Sequence, residues 1–209
     1  MLTKPSIAGT RTAAGTIDFL SILNTEIANC HRCPGMNILG KTQSAPGYGS
    51  PTSPLMLVGQ SLCGPCMKTG IPFTGGSGRF IDAALALAGR CKAELFTTNV
   101  VHCHPPENQP SERAWIANCA DYLRREFAVV RPLLVVGLGE DARSAIRAEY
   151  PRSPVLEWWP FTPPAQPPTG DPALLLLPHP RWVMTRPARL REAWVVGLAN
   201  AITWAFLRV

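Results

Sequence analysis

Apolar side chains follow two alternating rhythms along this chain. Ile17, Leu20, Leu23 and Ile27 recur at helical spacing, which predicts an amphipathic helix ending near Asn29, with Cys30 and Cys33 at its C-terminal end. Leu55 to Val58 is a continuous apolar run that stops at Gly59 and reads as a buried strand. A loop rich in Gly, Pro and Cys follows, and a helix starts at Ser77 or Gly78, carries Leu85 and Leu87, and closes at Ala88-Gly89. Leu95 to Val101 is a second strand, with Cys103 just past its end, and Ser111 is an N-cap for a helix carrying Trp115, Cys119, Tyr122 and Leu123. Leu133 to Leu138 gives a third strand, broken by Gly139 into a helix from Glu140 to about Ala148. After a Pro-rich connection over 160–172, Leu174 to Leu177 forms a fourth strand that stops at Pro178-His179-Pro180. A last helix, from about Pro187 to Phe206, buries Leu190, Trp194, Leu198 and Ile202.

Strands alternating with helices predict an α/β fold of three layers, α/β/α, around a four-stranded parallel sheet. Residues 1–15, Thr-, Ala- and Gly-rich without periodicity, read as a loose tail, and residues 16–209 as one domain. In open α/β sheets ligands bind beyond the C-terminal ends of the strands, so the segment Val58 to Asp82, strand then loop then helix start, is the expected active site. Gly75-Gly76-Ser77-Gly78 presents backbone N–H groups at that helix start, where Ser77 and Gly78 could cradle a phosphate.

No apolar run reaches the ~18 residues of a membrane span, and no charged n-region precedes an apolar stretch at the N-terminus, so a cytoplasmic location away from membranes is expected. The net charge of +6 favours an anionic partner, and from Arg181 onward there are five arginines against one acid, Glu192. Seven cysteines without an export signal point to metal or redox chemistry. Two ligand sets compete. Cys30/Cys33 with Cys63/Cys66 has the spacing of a structural zinc site; Cys30, Cys33, Cys103 and Cys119 is the other choice. Cys63-Gly64-Pro65-Cys66 also has the form of a thioredoxin-like dithiol, although Met67 to Pro72 is expected to interrupt any helix there.

The order of motifs resembles the iron–sulfur uracil-DNA glycosylases, the fourth family of that superfamily. The resemblance rests on Cys30-x-x-Cys33, Pro46-Gly47-Tyr48-Gly49, and Gly59 with Gly70-Ile71-Pro72-Phe73-Thr74-Gly75. It extends to Thr98-Asn99-Val100-Val101-His102-Cys103-His104-Pro105-Pro106-Glu107-Asn108, Cys119 and His179-Pro180. It implies a [4Fe-4S] cluster on Cys30, Cys33, Cys103 and Cys119 that braces the scaffold, with Cys63 and Cys66 left as pocket thiols or small buried hydrophobes. It implies further that Phe73 stacks under a flipped base, that Asn99 reads its edge beside Gly59, and that His179 donates to the base oxygen gaining charge. The residue-level alternatives are a core Phe, an Asn capping a turn and a structural His. Arg181 and Trp182 fall where the family enters the minor groove, and Arg186, with Arg189 and Arg191, would contact phosphates. One motif departs: Gly59-Gln60-Ser61-Leu62-Cys63 stands where the family has Gly-Glu-Ala-Pro-Gly, so an amide replaces the acid and only Gln60 and Ser61 remain to position water.

The expectation is a monomeric, monofunctional DNA glycosylase that excises uracil or another altered pyrimidine. The alternatives are a defence enzyme acting on phage-modified cytosine, a DNA-binding relative that no longer cuts, and a thiol redox protein.

Overall fold

A computed structural model describes residues 13–208. The elements in chain order are α1 (Ala13–Ala28), β1 (Tyr48–Gly49), β2 (Leu55–Ser61), α2 (Gly64–Thr69), α3 (Arg79–Leu87), β3 (Phe96–Val101) and α4 (Arg113–Val130). They continue with β4 (Leu134–Leu138), α5 (Glu140–Glu149), β5 (Val155–Leu156), β6 (Ala173–Leu177), α6 (Pro180–Met184) and α7 (Ala188–Phe206). The loose tail expected over 1–15 falls mainly outside the described residues; its last three positions already belong to α1.

The strands form one sheet in the order β1-β3-β2-β4-β6-β5. All neighbours are parallel except β1, which runs antiparallel to β3. The four strands legible in the sequence are the central ones; the two additional edge strands are two residues each, too short to show a period.

Strand alternation sorts the core into two layers. Leu55 and Leu57 of β2, Leu134, Val136 and Leu138 of β4, and Leu175 and Leu177 of β6 pack with Phe80, Ile81, Ala84 and Leu85 of α3 and with Trp194, Leu198 and Ile202 of α7. The residues between them, Met56, Val58, Val135, Leu174 and Leu176, join Phe96 and Val100 of β3 in facing α1, α4 and α5. Strands buried on both faces are why these segments read as unbroken apolar runs. The expected three layers are therefore present.

Three local expectations need correction. Leu190 is only half-buried, because α7 turns its apolar stripe inward from Ala193 onward. Met67 to Pro72 does not prevent a helix: α2 forms from Gly64 to Thr69, with Pro65 in the first turn, where its missing N–H costs nothing, and with Gly70 left-handed at the end. Ser111 does not cap α4; the cap position is Glu112, without a side-chain cap bond.

Helix α7 lies close over the 150s connection. A Cβ on Gly197 would stand 2.3 Å from the Trp158 carbonyl oxygen, a backbone atom that cannot swing aside. Gly197→Ala should therefore lower stability, because overpacking of about 1–3 kcal/mol outweighs the roughly 1 kcal/mol that alanine adds in helix propensity. The check is the midpoint of chemical denaturation, and an unchanged or raised midpoint would contradict the contact.

Candidate functional site

The C-terminal ends of β2 and β3 lie side by side, with Gly59 in register with Asn99. A Cβ at Gly59 would lie 2.5 Å from Asn99 Oδ1 and 2.5 Å from Phe73 Cζ, so only a glycine lets the amide and the ring meet there. Asn99 is buried, with 4% of its surface exposed, in a strand rather than at a turn, which removes the turn-cap alternative.

Phe73 is in the left-handed backbone region, φ 56°, unfavourable for an aromatic residue, and its surroundings impose it. Its carbonyl accepts from Lys92 Nζ at 2.8 Å, and Lys92 pairs with Asp82 of α3. The same carbonyl oxygen would be 1.9 Å from a Cβ on Gly78, so that glycine is also fixed by close approach. On the other side the Thr74 N–H donates to Cys66 Sγ at 3.4 Å. Cys63 and Cys66 are joined as a disulfide across the first turn of α2. Joined in this way, Cys63 and Cys66 are not thiolates and do not stand as ligands alongside Cys30 and Cys33. The pair instead fastens α2 to the loop that carries Phe73.

A cleft of about 280 Å³ opens at these strand ends, walled by Gln60, Ser61, Cys63, Phe73, Thr74, Ser77, Gly78, Asn108, Gln109, His179 and Arg181 among others. The structure thus brings together nine of the expected residues: Gln60, Ser61, Phe73, Ser77, Gly78, His179 and Arg181 in the wall, and Asn99 against Phe73 across Gly59. Trp182 and Arg186 are not in the wall. They stack on each other, guanidinium 4.2 Å from the indole centre, and Trp182 is 40% exposed, so it is not a core residue. Residues not assigned a role from sequence also line the cleft. Asn108 and Gln109 enter it through a turn in which Glu107 and Asn108 both have positive φ, and the polar Pro-Pro-x-Asn segment was the only signal for them. Gln60 Nε2 donates to Ser111 Oγ at 3.3 Å, which accounts for the missing cap: the hydroxyl is used by the cleft.

His179 caps α6. The Arg181 N–H donates to His179 Nδ1 at 3.1 Å, so Nδ1 is the unprotonated nitrogen and Nε2 carries the hydrogen, which makes Nε2 a neutral donor. Burial lowers the pKa of this imidazole, and the Arg181 charge lowers it further.

The four remaining expected ligands also converge. Cys30 and Cys33 follow α1, Cys103 follows β3, and Cys119 is on α4. Cys103 and Cys119 are buried in one cluster with Cys33 packed against it. Burial pushes the Cys103 thiol up to about 12, and the nearby Cys119, Cys30 and Cys33 add to the shift. A reciprocal clamp aligns them: Arg32 donates to the Asn118 carbonyl at 3.0 Å, while Asn118 Nδ2 donates to the Arg32 carbonyl at 3.1 Å and to Cys33 Sγ at 3.2 Å. Among the described residues, no three His, Cys, Asp or Glu side chains are grouped as ligands of a single metal ion. Four thiols are a soft donor set, the kind that iron–sulfur clusters and zinc both take. Among the described residues no helix is long and apolar enough to cross a membrane.

The family model for the uracil DNA glycosylase superfamily matches residues 46–202, which include every wall of the cleft. The chain belongs to the uracil DNA glycosylase superfamily. It is 30% identical over 131 residues to a type-4 uracil-DNA glycosylase of Sulfurisphaera tokodaii, covering 62% of this chain and 59% of that protein. A type-4 uracil-DNA glycosylase of Archaeoglobus fulgidus is 31% identical over 121 residues, covering 58% and 60%. A type-5 uracil-DNA glycosylase of Pyrobaculum aerophilum is 31% identical over 152 residues, covering 57% and 66%. The chain spans about 60% of the length of the type-4 relatives it matches.

The lowered pKa of His179 has a consequence for stability. Between the folded value and the ordinary 6.5 the unfolded state binds more protons, so stability falls as pH drops through that window and is unaffected above it. Urea unfolding at pH 7.5 and pH 5 should show a larger acid loss for the wild type than for His179→Gln. Equal losses would place the imidazole in an unperturbed setting.

Proposed function

We propose that this chain is a monofunctional DNA glycosylase that flips out uracil or another altered pyrimidine and hydrolyses its N-glycosidic bond, leaving an abasic site. The observation that carries the reading is the convergence of a ring, an amide and a neutral imidazole donor around one small cleft at the strand ends. Extrusion costs a few kcal/mol of stacking, which a floor such as Phe73 returns by stacking on the base. The amide of Asn99 offers one acceptor and two N–H donors, the complement of a pyrimidine edge.

Breaking the bond moves its electron pair onto the base and leaves a cation at the sugar carbon. His179 Nε2–H donates to the pyrimidine oxygen that gains this charge, without itself becoming charged, an oxyanion-type stabilisation. Water then adds to the sugar cation and releases a proton to solvent, from which the departing base anion is reprotonated. Gln60, fixed by Ser111, cannot take that proton as a general base, so it and Ser61 act by orienting the water. A bond that breaks before water attacks does not need a carboxylate. Ser77 and Gly78 are suited to a phosphate beside the flipped nucleotide; Arg181 in the wall, with Trp182 on the same helix α6 and Arg186 stacked on it just past the helix end, would meet the duplex. Trp182, exposed and backed by a guanidinium, has the form of a plug for the vacated stack.

Cys30, Cys33, Cys103 and Cys119 would hold a [4Fe-4S] cluster, whose contribution is to cross-link the end of α1, the end of β3 and α4. The protein acts as a soluble monomer on DNA in this reading.

The test is a panel of single-stranded and duplex oligonucleotides bearing uracil, hypoxanthine or glucosylated hydroxymethylcytosine, treated with hot alkali after incubation. Strand breaks at uracil are expected. His179→Ala should lose about 10²–10³ in rate, as expected for one oxyanion donor. Asn99→Ala should lose about 10–100-fold, the 1–3 kcal/mol of one buried polar partner. Breaks at modified cytosine alone would assign a defence substrate, and binding without breaks on any substrate would remove the enzymatic reading. A second prediction concerns the disulfide: Cys63→Ser with Cys66→Ser frees the Phe73 loop and should raise KM while the fold, read by circular dichroism, is unchanged. An unaltered KM would show that the linkage does not support the pocket.

A further inference from the structure

A buried polar group beside the four thiols has no part in contacting the base. The His102 ring, 2% exposed, lies edge-to-face on Tyr122 of α4. Its Nε2 is 3.3 Å from Glu126 Oε2 and 3.3 Å from the Thr98 hydroxyl, which itself donates to the same carboxylate oxygen at 2.7 Å. Glu126, fully buried, accepts through Oε1 from the Gly47 N–H at 3.1 Å. The carboxylate is therefore satisfied, and one ring nitrogen is held. The other is not: Nδ1 is buried without a hydrogen-bond partner in the protein.

Such an orphan is costly unless something outside the protein's own hydrogen bonds answers it. His102 immediately precedes Cys103, its neighbours Val101 and Cys103 pack with Cys119, and its ring lies on Tyr122, one turn along α4 from Cys119. Ligands of metal centres are commonly oriented by a further hydrogen bond, and hydrogen bonds to the sulfurs help set cluster potentials.

We propose that His102 is a positioning residue for the iron–sulfur site: Nδ1–H donates to the Cys119 sulfur when that sulfur is a cluster ligand, and Glu126 fixes the ring through Nε2. Through the Gly47 N–H the same carboxylate connects the cluster's surroundings to the turn ahead of β1. This inference rests on the cluster reading of the four cysteines.

Anaerobically purified wild type, Glu126→Gln, and the double variant His102→Leu with Glu126→Gln are compared by iron and sulfide content and by the midpoint potential from an EPR-monitored titration. In both variants Gln still accepts from Gly47, and no buried carboxylate is left unpaired, so the fold is retained; circular dichroism verifies this. A hydrogen bond to a ligand sulfur favours the more negative, reduced cluster. The double variant should therefore shift the reduction equilibrium about tenfold toward the oxidised state, about 59 mV for one electron. Glu126→Gln, which leaves Nδ1–H in place, should move it less. Equal potentials in the wild type and the double variant, with iron bound in both, overturn the role of His102 and leave the cluster standing. A wild-type protein without iron overturns the cluster reading and this inference together.

Discussion

The site depends on a missing side chain. Two parallel strands end beside each other, and at Gly59 the space that any other residue would fill is taken by an amide from one direction and a phenyl ring from another. Every other feature of the cleft is arranged to hold those two groups in that position. Lys92 fixes the Phe73 carbonyl, Gly78 admits it closely, and the α2 linkage holds the following residue. An unfavourable backbone conformation at Phe73 persists because each of these contacts excludes a relaxed one.

The scaffold behind this is a sheet buried on both faces, whose alternate residues serve α3 and α7 on one side and α1, α4 and α5 on the other. The two layers divide the labour. The first carries the loop and helix starts that wall the cleft; the second encloses the four thiols and the buried Glu126 group. Glu126 is the one fully buried charge of α4, and it is answered by three donors from β3, its extension and the Gly47 turn, so an otherwise costly charge holds three segments in place.

Much of this could be read from the sequence, for identifiable reasons. Long apolar runs announced the four central strands because both of their faces are covered; Gly59 and the Asn99 segment stood out through motif order, and Gly78 through the Gly-rich turn at a helix start. The edge strands at Tyr48 and Val155 could not be seen, since two residues carry no period. Helices α2 and α6 were hidden by Pro65 and Pro180, which usually mark interruptions but here occupy first turns. Ser111 was misleading in another way: its local sequence suits a helix cap, but its hydroxyl is engaged by Gln60 from 51 residues away, a tertiary fact that no local pattern encodes. The approach of Gln109 to the cleft is of the same kind.

The cap at His179 ties together two tasks that are usually separable. One imidazole begins α6 with its Nδ1 face and presents its opposite edge to the cleft, so the direction of the α6 axis and the aim of the donor are a single degree of freedom. Arg181 and Trp182 ride on that same short helix. A nucleic acid that tilts the helix by pulling on them would re-aim the donor in the same motion, making grip and bond-breaking mechanically inseparable at this corner of the molecule.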